Sequence, residues 1–159
     1  AVEPYGRYAN VSKQNTRGIE VEARYVWKGF SSELGYTYLD GKMHNVINGK
    51  DSTYSSLIRR PKHQLSLRVN QQLTKRWSAS VYAQYVGERT DYYYDDATYQ
   101  TQGVTLAGYV WTELQSTYAL NKRWRVQALV KNVLNQMPTE LYGYSGQPRN
   151  AQISLLGTF

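Results

Sequence analysis

Ile19-Glu20-Val21-Glu22-Ala23-Arg24-Tyr25-Val26-Trp27 places apolar residues at 19, 21, 23, 25 and 27 and charges at 20, 22 and 24. Successive side chains of a strand point to opposite faces, so this period of two describes a strand with one apolar and one wet side. Helical spacing fails over the same residues. The alternation returns in Leu65, Leu67 and Val69 against Gln64, Ser66, Arg68 and Asn70, and in Ala79, Val81, Ala83 and Tyr85 against Ser78, Ser80, Tyr82 and Gln84. It continues in Thr112, Leu114, Ser116 and Tyr118 against Glu113, Gln115 and Thr117, and in Val126, Ala128 and Val130 against Arg125, Gln127 and Lys131. Last come Ala151, Ile153, Leu155, Gly157 and Phe159 against Gln152, Ser154 and Thr158, with Leu156 the exception on the polar side.

With residues 30–40 added, the pattern predicts about seven antiparallel strands, many near the ~9 to 11 residues that cross a bilayer as tilted β. The connections fall into two classes. Val26-Trp27-Lys28-Gly29-Phe30, Leu73-Thr74-Lys75-Arg76-Trp77 and Leu120-Asn121-Lys122-Arg123-Trp124 read as tight hairpin turns, whereas residues 41–57, 90–107 and 136–150 read as long polar loops. Alternation of short and long connections puts the short turns on one rim of an up-and-down meander. Thr74-Lys75-Arg76-Trp77 and Asn121-Lys122-Arg123-Trp124 also form an internal repeat of roughly 50 residues. A propeller blade of that length needs about four short strands, and each unit here holds two long ones.

Trp27, Trp77 and Trp124 fall at the short turns, joined by Phe30 and the terminal Phe159. Indole and phenol rings suit an apolar-to-wet boundary, so these residues are expected to form an aromatic girdle at one membrane surface. The chain holds 16 Tyr and 4 Trp against 2 Phe, a bias in the same direction. A soluble sandwich with Trp capping its core is the bland alternative; strand length, turn asymmetry and girdle together favour lipid. No stretch approaches the ~20 consecutive apolar residues of a spanning helix. Without cysteine, neither disulfides nor thiolate metal sites are available. Ala1 is not followed by a basic start, apolar run and small-residue cleavage site, so the sequence is expected to begin after processing or to be a piece of a longer chain.

A formal net charge of +7 calls for anionic partners. The basic residues are split between turns and loops instead of gathering on one strand face, so no nucleic-acid platform is expected. His44 and His63 lack ligand spacing, and Asp91, Asp95 and Asp96 lack the glycine and spacing of a calcium loop. His44 with Asp95 and Asp96 makes only a poor protease constellation. The chain is therefore not expected to be an enzyme or to carry a cofactor.

The last strand ends on Phe159 with Ile153 and Leu155 at alternate positions before it, and resembles the C-terminal signal that the barrel assembly machinery reads in outer-membrane proteins. Four further motifs extend the likeness. Asn15-Thr16-Arg17-Gly18-Ile19-Glu20-Val21-Glu22 resembles the Arg-Gly-(Ile/Val)-Glu strand of TonB-dependent outer-membrane transporters. Arg59-Arg60-Pro61-Lys62-His63-Gln64 resembles their Arg-Pro-x-His segment, and Lys131-Asn132-Val133-Leu134-Asn135 stands where they have Asn-Leu-Phe-Asp, with Leu and Asn replacing Phe and Asp. Tyr142-Gly143-Tyr144 and Gln147-Pro148-Arg149 resemble their closing loop.

The resemblance implies that residues 1–159 are the C-terminal part of a barrel of about 22 strands closed around a plug. That plug, and the TonB contact it carries, are not within this sequence. Short turns would be periplasmic and long loops extracellular, in a bacterial outer membrane with its lipid and lipopolysaccharide. Expected partners are the remainder of the barrel and plug, in the same protein or a second chain, and TonB through that plug. The implied cargo is a scarce nutrient chelate, a ferric siderophore first, with cobalamin, suggested by the Tyr-Gly-Tyr loop, as the alternative. A small passive barrel of eight strands remains as a different class, if residues 2–11 supply one more strand and residues 13–16 a turn.

Clustered Tyr offers rigid, amphipathic area with phenol donors, so Arg89, Tyr92, Tyr93, Tyr94, Tyr142 and Tyr144 are the capture candidates. The competing reading is that the rings only form an outer girdle or pack loops together. Arg59, Arg60, Lys62 and Arg89 are placed near the outer rim, against an anionic ligand or lipopolysaccharide phosphates. Glu20, Glu22, Arg24, Arg68, Glu113, Arg125 and Lys131 are expected to pair with one another or with the plug on the lumen face. Lys28, Lys75, Arg76, Lys122 and Arg123 at the short turns are expected to meet lipid headgroups.

Overall fold

A computed structural model describes residues 13–47, 50–54 and 57–158. Its ten strands are β1 (Lys13–Trp27), β2 (Phe30–Ile47), β3 (Lys50–Tyr54), β4 (His63–Gln72), β5 (Trp77–Val86), β6 (Arg89–Asp95), β7 (Gln100–Leu106), β8 (Tyr109–Ala119), β9 (Trp124–Lys131) and β10 (Asn150–Gly157). Seven of them run as one antiparallel meander, β1-β2-β4-β5-β8-β9-β10, which is the number and order that the alternation predicts. The other three correct the sequence reading. Residues 41–57 and 90–107 are not plain loops: β2 runs on to Ile47 and pairs with β3, and β6 pairs with β7 as a separate hairpin.

Register carries the alternation across the whole sheet. Leu114 lies between Val81 and Val130, while its neighbour Gln115 lies between Ser80 and Leu129. One face thus gathers Ile19, Val21, Leu34, Leu65, Leu67, Val81, Leu114, Ile153 and Leu155, and every one of these is exposed. Among the described residues the buried apolar side chains are Leu57, Val86 and Leu106, all near the hairpin end. A sheet whose broad apolar face has no second layer over it is a wall, and no sandwich partner is present among the described residues. β1 and β10 are its two edges and are not paired with each other. Lys13 to Thr16, which a closed barrel of eight strands needs as a turn, are strand, opposite His44 to Gly41. Residues 2–11 lie outside the described residues.

The short turns have local causes. Trp27 pairs with Phe30, leaving Lys28 and Gly29 at φ 40° and 82°, the two positive values of a type I′ turn whose twist matches the flanking strands. The repeated Thr-Lys-Arg-Trp and Asn-Lys-Arg-Trp turns share one device. Thr74 Oγ1 accepts from the Arg76 and Trp77 amides at 3.2 and 3.1 Å. Asn121 Oδ1 accepts from the Arg123 and Trp124 amides at 2.9 and 3.0 Å. These side chains bond the backbone two and three residues on, which is why Thr and Asn occupy the same place in the repeat. Asn121→Ala or Thr74→Ala is expected to cost about 1 kcal/mol each, read as a lower unfolding midpoint with the slope unchanged.

The aromatic residues expected to form a girdle lie at this turn end on the apolar face. Tyr25 and Phe30 rings meet at 6.1 Å, Trp77 stands opposite Tyr118, and the Trp124 ring covers Gly157. Trp77 donates its indole N–H to Ser116 Oγ at 2.9 Å, so even here the polar atom is partnered. Phe159 lies outside the described residues.

Candidate functional site

The polar face and the hairpin end hold the chemistry. Directly opposed positions form a row across six strands: Arg24, Glu33, Arg68, Tyr82, Glu113 and Lys131. Arg24 Nε lies 3.5 Å from Glu33 Oε1, the Arg68 guanidinium sits 4.9 Å over the Tyr82 ring, and Trp111 donates to Glu113 Oε1 at 3.0 Å. Glu33, absent from the expected set of lumen charges, is the partner that completes the row. A groove of about 610 Å³ opens along it, lined by Glu22, Arg24, Glu33, Ser66, Arg68 and Tyr82. Exposed pairs of this kind contribute little stability, so the row is better suited to meeting a polar counter-surface.

At the hairpin end, one carboxylate ties three segments together. Asp91 on β6 is fully buried. Its Oδ1 accepts from Arg59 Nε at 2.7 Å and the Tyr92 amide at 2.8 Å, and its Oδ2 from the Tyr142 amide at 3.0 Å. Burial by itself pushes the Asp91 carboxyl up, but the Tyr142 amide, the Arg59 guanidinium and the Tyr92 amide outweigh it. The net position is below the ordinary 3.8. Arg89, two residues before it on the same side of β6, is 7% exposed and donates to the Thr139 carbonyl at 3.0 Å. Its guanidinium lies 5.3 Å from the centre of the Tyr109 ring, and Tyr109 donates to Glu140 Oε1 at 2.6 Å.

The closing loop is itself organised by Asn132. This residue is fully buried at φ 52°. Its amide donates to the carbonyls of Gln136 and Gln147 at 2.6 and 2.8 Å, while its Oδ1 accepts from the Gln136 amide at 3.1 Å. Asn135 Oδ1 then accepts from the Arg149 amide at 2.9 Å. A planar amide with donors and an acceptor holds both ends of the loop at once, a role that an apolar residue cannot fill. Gly143, at φ 86°, turns the chain between Leu141 and Tyr144, and the Tyr144 amide donates to the Leu141 carbonyl at 3.0 Å.

The expected capture residues divide accordingly. Tyr93 and Tyr142 come together, their rings stacking at 4.2 Å and 22°, whereas Arg89 is engaged with Thr139 and Tyr109. Tyr92 and Tyr94 point to the other side of β6. Tyr92 packs over Gly103, and Tyr94 is exposed. Tyr144, beyond the turn at Gly143, is 69% exposed. A groove of about 400 Å³ runs between β7 and the closing loop, lined by Val104, Leu106, Thr139, Tyr142, Tyr144 and Ser145. Asn132, Tyr109 and Glu140 were not singled out as site residues by sequence reasoning, and Asp91 was weighed only as a calcium ligand. Only Asn132 carried a signal, its place in the Asn-Val-Leu-Asn motif. His44 shares a hydrogen bond with Thr53 and His63 with Tyr36, and no metal-binding group of three or more such residues occurs among the described ones.

Residues 2–133 match the family model described as TonB dependent receptor-like, beta-barrel. Among solved structures, the pyoverdine outer membrane receptor FpvA from Pseudomonas aeruginosa is 20% identical with a TM-score of 0.76, over 92% of this chain and 22% of that one. The ferric-catecholate import receptor Fiu from E. coli K12 is 23% identical with a TM-score of 0.76, over 99% of this chain and 23% of that one. The siderophore receptor PiuA from Acinetobacter baumannii is 18% identical with a TM-score of 0.73, over 91% and 22%. At such identity the likeness establishes a shared fold. The chain spans about a quarter or less of the length of these proteins.

Proposed function

From the premise that the chain belongs to the TonB-dependent receptor-like β-barrel family, a family of outer-membrane receptors and transporters and not of enzymes, we propose that it forms wall and capture loops of a receptor for a ferric siderophore. The observation that carries this reading is the Tyr93–Tyr142 stack beside the groove at the hairpin end, with Tyr144 open beside it. Stacked phenols offer flat area and hydrogen-bond donors to a bulky chelate. The pyoverdine, ferric-catecholate and siderophore receptors named above support that cargo class.

Strand edges in lipid leave backbone groups without partners, so β1 and β10 need further strands beside them. Those strands and the plug belong to the rest of the protein or to a second chain. The charged row from Arg24 to Lys131 faces inward and is the surface on which the plug rests. TonB acts through that plug. On β10, Ile153 and Leu155 present the apolar edge that the assembly machinery engages.

The test uses the complete protein that contains this chain, with binding followed by quenching of its intrinsic fluorescence. A ferric catecholate or hydroxamate is expected to bind more tightly than cobalamin. Tyr142→Ala is expected to weaken the iron chelate by about tenfold, the value of one lost aromatic contact. Binding of cobalamin alone would move the reading to the corrinoid class. Unchanged affinity in the Tyr142 variant would remove the capture site from this place.

A further inference from the structure

The chain as a whole carries a formal net charge of +7, yet the cations around the Tyr93–Tyr142 stack are committed elsewhere. Arg59 is held by Asp91 at 2.7 Å. Arg89 is buried against the Thr139 carbonyl and the Tyr109 ring, whose phenol in turn meets the Glu140 carboxylate. Arg149, on the closing loop, turns back to the Val133 carbonyl at 3.5 Å. Arg60 and Lys62 line a different groove of about 560 Å³ with His63 and Tyr85. That groove belongs to the apolar face, where Arg17 and Lys62 share Asp40, and Lys42 follows Asp40 on the same side of β2. Of the rim cations expected from the sequence to meet an anionic ligand, none is thus left open to the capture groove among the described residues. The groove of about 400 Å³ is itself lined by apolar and hydroxyl side chains with no ionic one.

Acids are treated differently. Asp95, two residues beyond Tyr93 on the same side of β6, accepts from the Ala97 amide at 3.0 Å, Thr98 Oγ1 at 2.8 Å and Gln102 Nε2 at 2.7 Å. These partners are all neutral. Gln102 Oε1 also accepts from the Tyr93 phenol at 3.4 Å, so one side-chain amide joins the stack to an uncompensated carboxylate. Asp96 follows at the exposed tip of the hairpin. The Thr98 hydroxyl and the Ala97 amide hold the Asp95 carboxyl below its ordinary value, while burial, and then Tyr142 and Asp95, push the Tyr93 phenol up. At neutral pH the corner therefore presents protonated phenol donors beside two anions. We propose that this capture site selects a ferric chelate of zero net charge, the trihydroxamate class, and discriminates against trianionic tricatecholates. The inference rests on the capture reading proposed above and names the charge class of its cargo. Three catecholates, each a dianion, leave a trianion around Fe(III), whereas three hydroxamates, each a monoanion, cancel the charge of the metal. Like charges brought together without a cation between them disfavour the wrong partner, and the phenols and hydroxyls of the groove still offer donors to the oxygens of a neutral complex.

The complete protein that contains this chain is titrated with an Fe(III) trihydroxamate and an Fe(III) tricatecholate of similar size, at low and at physiological ionic strength. Wild type is expected to bind the neutral complex about tenfold more tightly at low salt, since two carboxylates about 10 Å from a trianion cost roughly that factor. The gap should shrink to a few-fold as salt screens it. Asp95→Asn with Asp96→Asn should narrow the low-salt ratio to about twofold, Asp96→Asn alone should narrow it part of the way, and Lys122→Gln at the opposite end should leave it unchanged. Because the readout is a ratio, a hairpin loosened by Asp95→Asn weakens both chelates alike and does not imitate the effect. A tricatecholate bound as tightly as the trihydroxamate, or more tightly, overturns the proposal and leaves the iron-chelate reading standing. A ratio that neither salt nor the two variants move does the same. Binding of neither chelate removes the capture reading itself, and the charge selection with it.

Discussion

Replacing Asp91 by alanine is expected to release the outer cluster while leaving the strand wall in place. The carboxylate joins Arg59, which lies 32 residues away in sequence, and the Tyr142 amide, 51 residues away, to its own hairpin. Its loss leaves two backbone amides and one charge without their partner. Charge-assisted hydrogen bonds contribute about 1.5–3 kcal/mol each, but Arg59 is half exposed and regains water, so a local cost of about 3 kcal/mol is expected. Hydrogen exchange reads this directly. The Tyr92 and Tyr142 amides should lose about a hundredfold in protection, while β4, β5 and β8 exchange as before.

The same contact sets a pH dependence. The folded Asp91 carboxyl lies below its ordinary value, so its contribution is fully present above the usual carboxylate range and is lost as pH falls through the folded value. The cluster should therefore stay closed at neutral pH and loosen only in acid. Asp91→Asn keeps the shape but turns an NH2 toward groups that are themselves donors, so it should loosen at neutral pH and show no further acid transition. Protection of Tyr142 that is unchanged in both variants would show that the loop is held by something else.

Leu114→Arg is expected to destabilise the inserted barrel by about 2–4 kcal/mol, the cost of a guanidinium at the bilayer midplane. Leu114 lies mid-strand on the apolar face between Val81 and Val130. Gln115→Arg, one residue on and on the other face, should change stability by about 0.5 kcal/mol or less. An apolar core would also reject Leu114→Arg, so depth is the discriminating variable. Tyr118→Arg, beside Trp77 in the aromatic row, should cost only about 0–1 kcal/mol if lipid covers this face. Unfolding titrations in vesicles measure all three. An equal cost at 114 and 118 would mean that the face is covered by protein and not by a bilayer.

How much of this was legible beforehand follows from the range of the forces involved. The two faces of β1 could be read from residues 19–27 because side-chain alternation is a property of consecutive residues and needs no partner. The turns at Lys28-Gly29, Thr74 and Asn121 are equally local, being set by positive φ or by a side chain bonding the next few amides. The extension of β2 into β3 and the β6–β7 hairpin escaped because their few apolar residues share a face with polar and charged ones, as Val104 and Leu106 do with Asp91 and Arg89, which leaves no clean alternation to read.

The wall read from residues 19–27 was thus determined by the sequence itself, together with its seven strands and its turn end, since period and turn chemistry act within a few residues. Only the tertiary structure decided what the wall carries. Arg59, Asp91 and Tyr142 converge from three separate connections, the row from Arg24 to Lys131 runs across six strands, and Arg17, Lys42, Arg60 and Lys62 collect on the apolar side. Each of these depends on the register between strands distant in sequence. A shift of one residue would exchange the two faces, and no local pattern near Asp91 or Arg60 specifies which side it finally joins.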